Sequence, residues 1–124
     1  MSKAEIFLIS KSSSLQNIFN DMVERNCLLE SVALIENEDY LLKNIFNSDI
    51  TRGVYVYDSD FSPRMSSTWF VQVFNKLSPE TKIIILGNDV TEARKLINEQ
   101  ACPFGYINKK EKSTLIVEHL LALI

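Results

Sequence analysis

Short, unbroken apolar runs recur along this chain, Ile6–Ile9, Val32–Ile35, Val54–Tyr57 and Ile83–Leu86 among them, separated by longer segments with apolar residues at helical spacing. A strand that is apolar on successive residues must be covered on both faces, so the alternation predicts strands sandwiched between helices. Five strands are expected, at Glu5–Ile9, Ser31–Ile35, Gly53–Tyr57, Lys82–Leu86 and Gly105–Ile107. Right-handed crossovers then give an α/β fold, a doubly wound (βα)5 domain with a five-stranded parallel sheet flanked by helices. Its ligand site belongs at the carboxyl ends of the first and third strands, where the strand order reverses.

The helices follow from the segments between the strands. The first starts after Ser12-Ser13-Ser14, where a serine hydroxyl can accept from a free first-turn amide, and it carries Leu15, Ile18, Phe19, Met22 and Val23 on one face. The second, about Glu38–Asn47, offers Leu41, Leu42, Ile45 and Phe46 to the core, and the third, about Ser66–Leu77, offers Trp69, Phe70, Val73 and Phe74. The fourth, about Val90–Gln100, has only the narrow stripe of Val90, Leu96 and Ile97, which makes it a candidate for a mobile or partner-facing helix. The fifth runs from about Ser113 to an apolar end at Leu120–Ile124, which reads as a surface that further protein or another chain would cover.

With 124 residues, 46% of them apolar and 23% charged, the chain suits a single domain over residues 1–124. Its net charge of -3 argues against a nucleic-acid surface within it, Lys109-Lys110-Glu111-Lys112 being the only dense basic patch. Cys27 and Cys102 lack C-x-x-C spacing and lie beside apolar segments, as expected of buried thiols in a reducing cytoplasm. With His119 the only histidine, a zinc site is short of ligands. No apolar run approaches the ~18 residues of a membrane span.

Polar residues gather where the strands are expected to end: Ser10-Lys11-Ser12-Ser13-Ser14, Asp58-Ser59-Asp60, Gly87-Asn88-Asp89 and Asn108-Lys109-Lys110. Asp58 and Asp60 are either solvated carboxylates of a polar turn or part of a regulatory site, and an ion pair from Asp58 to Lys109 or Lys11 would hold such a site permanently in shape. Lys109 also reads as a plain surface lysine. The serine run is either an N-cap with spare hydroxyls or an anion cradle at a helix start. No nucleophile and base pair comes together in sequence, so the chain reads as a non-enzyme.

These motifs resemble a receiver domain of bacterial response regulators, a CheY-like and flavodoxin-like fold, over essentially the whole chain. The resemblance places Asp58 at the phosphoacceptor position, Lys109 at the lysine that pairs with phosphoryl oxygens and Tyr106 at the switch aromatic, with packing against the fourth helix as the other reading of Tyr106. It also exposes departures: Ser10 and Lys11 stand at the acidic pair that holds magnesium, Gly87 at the Ser or Thr position, and Lys110 at a proline position. Magnesium binding is therefore not expected, and no cofactor is implied, because Lys11 would bring a cation to a place where a cation must bind.

What the resemblance implies is a degenerate receiver acting in signal transduction and transcription regulation without ordinary magnesium-dependent phosphorylation. Ile9–Ser13 and Trp69–Asn88 resemble receivers of LuxR-type regulators, which implies DNA contact only through an output domain outside this chain; a histidine kinase partner is left open. A homodimer is expected through helix four, strand five and helix five, using Arg94, Lys95, Lys112 and Glu118 with apolar area from Leu120 and Leu123. The alternative is a small-molecule sensor in which the serine-rich loop and Lys11 bind a nucleotide-like ligand.

Overall fold

Side chains alternate faces along a strand, so a run such as Ile83-Ile84-Ile85-Leu86 has to feed two cores at once. The computed structural model of the chain describes residues 4–26, 29–46, 53–77 and 81–124. Its elements alternate as β1 (Ala4–Ile9), α1 (Ser13–Arg25), β2 (Leu29–Ile35), α2 (Glu38–Phe46), β3 (Val54–Asp58), α3 (Ser67–Leu77), β4 (Lys82–Gly87), α4 (Val90–Asn98), β5 (Gly105–Asn108) and α5 (Ser113–Leu123). The strands form one parallel sheet in the order β2-β1-β3-β4-β5. The expected doubly wound α/β architecture is the observed one, and β1 and β3 lie side by side at the reversal of strand order.

Two cores result. On one face Ile9, Tyr55, Tyr57, Ile83 and Ile85 pack with Leu41 of α2, Phe70 and Phe74 of α3 and Leu96 of α4. On the other, Ile6, Leu8, Val54, Val56, Ile84, Leu86 and Ile107 pack with Leu15, Phe19 and Met22 of α1 and Ile116 and Leu120 of α5. Aromatic rings dominate the first face: Tyr57 stacks on Phe70 at 4.2 Å between centroids and Phe7 on Tyr55 at 4.5 Å. The one polar atom that Tyr57 carries into this core donates to the Met65 carbonyl at 2.5 Å, and burial pushes its phenol pKa up.

Several expectations need correcting. Cys102 is exposed, because the preceding Ala101 takes the buried position in the loop that leads to β5; Cys27 lies outside the described residues. Leu120, expected on an interaction face, is buried against the sheet, and Leu123 packs partly into the same core, so neither supplies open surface. Helix α4 ends at Asn98, short of the expected Gln100, which adopts a left-handed φ of 59° just beyond the helix. Trp69 and Val73 are only partly buried beside Phe70 and Phe74. Asn47 and the side chains of Ile45 and Phe46 lie outside what is described.

Ser12 is the N-cap of α1, its hydroxyl accepting from the Leu15 amide at 3.3 Å. Ser12→Ala leaves that amide without its partner and is expected to cost about 1 kcal/mol. In urea the unfolding midpoint should drop with an unchanged slope; an unmoved midpoint would show that the cap contributes nothing.

Candidate functional site

Period-two alternation decides which side chains meet at the carboxyl edge of the sheet. Leu8, Val56, Leu86 and Ile107 all face α1 and α5. Two residues further along each strand stand Ser10, Asp58, Asn88 and Lys109, and these four form the site together with Asp60. The pairing carries the alignment past the strand ends, since the Ser10 amide still donates to the Ile35 carbonyl at 3.1 Å and the Lys109 amide to the Gly87 carbonyl at 2.9 Å.

Asp58 is 4% exposed, and both of its oxygens are engaged. Oδ2 accepts from the Ser10 hydroxyl at 2.7 Å. Oδ1 accepts from Lys109 Nζ at 2.5 Å and from the Asp60 amide at 3.0 Å. Lys109 also binds Asp60 Oδ2, and Asn88 Nδ2 lies 3.3 Å from each Asp60 oxygen and 3.4 Å from Ser59 Oγ. Burial pulls the Lys109 ammonium down, but the hydrogen bonds to Asp58 and Asp60 outweigh it and its pKa lies above the ordinary lysine value. Asp60 moves the other way: the Lys109 hydrogen bond, helped by Asn88, holds its carboxyl below the usual range.

Lys11 does not join this cluster. It follows Ile9, whose side chain faces the α2 and α3 side, and it reaches Glu38 Oε1 at 3.4 Å while lying 5.2 Å from the centre of the Phe61 ring. Glu38 is held below its ordinary range by the Ser62 hydroxyl and by Lys11. The cation at the site is therefore Lys109 alone among the described residues, which corrects the expectation that Lys11 would crowd it. In the serine-rich loop, Ser10 Oγ accepts from the Ser12 amide at 3.0 Å and Ser12 caps α1, so these two hydroxyls have partners within the chain. Ser13 and Ser14 are exposed.

Gly87 and Tyr106 lie on the opposite face. They are diagonal neighbours across β4 and β5, two positions out of register, with Ile85 opposite Tyr106 and Gly87 opposite Asn108. The Tyr106 ring lies over the Gly87 Cα, in space that a side chain at 87 would occupy, and its hydroxyl donates to the Asp89 carbonyl at 2.9 Å. Burial raises its pKa to about 12. Asp89 is the N-cap of α4, accepting from the Glu92 amide at 3.0 Å, so Tyr106 is tied to the start of that helix.

The chain superposes on a CheY-like response-regulator receiver domain from Methanospirillum hungatei with a TM-score of 0.72 and 17% identity, over 98% of this chain and 93% of that one. This is the receiver fold. Full-length FixJ from B. japonicum matches with a TM-score of 0.75 and 13% identity, over 99% of this chain and 58% of that one. The structure of an adenylate cyclase from Rhodopirellula baltica matches with a TM-score of 0.75 and 23% identity, over 98% and 87% respectively. The sequence matches no protein-family model and no curated protein.

Within the receiver fold, the residues singled out in sequence separate into two groups, Ser10, Asp58 and Lys109 in one hydrogen-bonded cluster and Gly87 and Tyr106 in a second contact behind it. Sequence reasoning gave no role to Asn88. Its place two residues beyond the apolar Leu86 was the available signal, since it shares the parity of Asp58 with Val56.

Proposed function

We propose that this domain is a receiver-type signalling module in transcription regulation that works without magnesium-dependent phosphorylation of Asp58. The observation that carries this reading is the state of the Asp58 carboxylate: one oxygen accepts from Ser10 and the other from Lys109 and the Asp60 amide. A magnesium ion needs oxygen ligands free to turn toward it. Ser10 donates a proton into the site, and an ammonium already lies against Asp58, so the residues present do not suit that ion. The same engagement favours a binding and signalling role over an enzymatic one, since it leaves the buried carboxylate no free oxygen for attack.

Output is proposed to run through two copies joined on the face of α4, β5 and α5, with DNA contact left to an output domain of LuxR type. Val90 at 65%, Ile97 at 68% and Phe104 at 50% exposure supply the apolar area there in place of Leu120 and Leu123. The match of this chain to 58% of full-length FixJ supports the place of such a module within a longer regulator. Among the described residues no helix is long and apolar enough to cross a membrane.

Amide NMR spectra with and without magnesium and beryllofluoride test the first part. The expected spectrum is unchanged; shifts at Asp58, Gly87 and Tyr106 that vanish in Asp58→Asn would overturn the reading. Sedimentation at high micromolar concentration tests the second, with a strictly monomeric chain as the overturning result.

A further inference from the structure

Asp60 is 63% exposed and stands beyond the end of β3, yet its carboxylate is not left to water. Lys109 reaches across from β5 to bind it, and Asn88 reaches from the loop after β4 to lie against both of its oxygens. The turn that carries Asp60 is itself fixed: the Asp60 amide donates to Asp58 Oδ1 at 3.0 Å, the Phe61 amide to the Asp58 carbonyl at 2.9 Å and the Ser59 amide to the Leu86 carbonyl at 3.0 Å. The donors come from the ends of β4 and β5, neighbouring strands on one side of β3, and the anion from the turn that follows β3.

Lys109 is only 14% exposed, so a cation there depends on anions close by. Asp58 supplies one, from below. On the solvent side the second could come from any small oxyanion, but a carboxylate held two residues from Asp58 competes at an effective concentration on the order of millimolar or higher, without the cost of bringing a free ion to the site. We propose that Asp60 is a tethered anion that occupies the Lys109 and Asn88 donors and keeps free oxyanions such as inorganic phosphate out of the site. This rests on the reading that Asp58 is not phosphorylated and deepens it: the anion over Lys109 is supplied by the chain itself.

The tether has a second consequence. Asn88 lies between Gly87, under the Tyr106 ring, and Asp89, whose carbonyl takes the Tyr106 hydroxyl. Asp60 therefore holds from one side the connection that Tyr106 holds from the other, and the start of α4 is fixed by both.

The test is a titration of the chain with inorganic phosphate, free of magnesium, followed by amide NMR. Wild type should show no saturable shifts at Asn88 or Lys109. Asp60→Ala should acquire phosphate binding at these residues at least about tenfold tighter than any seen in wild type, a gain of at least about 1.4 kcal/mol, and the added Lys109→Met change should abolish it. Asp60→Asn, which keeps the shape and removes the charge, should gain it too and serves if the alanine variant folds poorly. Phosphate binding by wild type as tight as by Asp60→Ala, or no binding by either Asp60 variant, would overturn the proposal. A magnesium and beryllofluoride response dependent on Asp58 would instead overturn the reading on which it rests, and the metal-free titration separates the two.

Discussion

Lys109→Met is expected to lower the unfolding free energy by about 3–5 kcal/mol at neutral pH, the cost of leaving a buried charge without its partner. Asp58 is 4% exposed and sits at the end of a strand whose every residue is buried. Its remaining donors in the variant, the Ser10 hydroxyl and the Asp60 amide, are neutral, so they satisfy hydrogen bonds without balancing the charge. Methionine keeps the stem and volume of lysine, which confines the change to the ammonium. Adding Asp58→Asn should recover most of the loss, because removing both charges takes away the desolvation problem together with the attraction. If the double variant is as unstable in urea as Lys109→Met alone, packing and not charge explains the loss.

The pH dependence has a definite sign. Asp60 has a pKa below its ordinary 3.8, and a lowered acid contributes stability that is present above the unfolded value and is lost as pH falls through the folded one. Lys109 lies above its ordinary 10.5, and a raised base contributes stability that is present below that value and is lost as pH rises through the folded one. The Lys109–Asp60 pair is therefore whole between about pH 4 and pH 10, and the gap between wild type and Lys109→Met should be widest there. It narrows in acid, where a proton neutralises the Asp60 carboxylate that Lys109 serves in the wild type.

Much of this arrangement was legible in the sequence, and for one physical reason. A run that is apolar at every residue announces a strand covered on both faces, and four such runs fix the sheet, its helices and the edge at which polar residues collect. The same alternation carries Leu8 to Ser10, Val56 to Asp58 and Ile107 to Lys109, so the meeting of these residues follows from strand register once the sheet is aligned. Lys11 adjoins Ser10 in sequence, but parity sends it to the other face, toward Glu38 and Phe61, which adjacency alone does not reveal. The burial of Leu120 and the exposure of Cys102 were hidden for a different reason. Both lie in stretches where apolar or small residues are adjacent, and only the packing of α5 and of the loop before β5 chooses among them.

Gly87→Val is expected to drive Tyr106 from its position and to destabilise the domain by about 1–3 kcal/mol, the range for overfilling a packed site. The glycine is not there for its backbone freedom, since no glycine in the described chain has a positive φ. It is there for room: a Cβ at 87 falls deep inside the Tyr106 hydroxyl and the neighbouring ring carbons. The ring is the end of a side chain that can rotate away, so the fold survives, but the 2.9 Å bond to the Asp89 carbonyl does not. NMR of labelled tyrosine should show the Tyr106 pKa falling from about 12 toward its ordinary 10.0 as the ring enters water, with shifts at Asp89 and the first turn of α4. Tyr106→Ala in the Gly87→Val background should restore part of the stability, because the clash then has no second party. A Gly87→Val protein whose Tyr106 and α4 signals stay in place would mean that the ring does not depend on the space over residue 87. The Ser or Thr that the receiver resemblance puts at this position carries the same Cβ, so a hydroxyl side chain at 87 and Tyr106 in its present rotamer exclude each other. With glycine at 87 that space is left to the tyrosine, whose hydroxyl holds the Asp89 carbonyl at the start of α4.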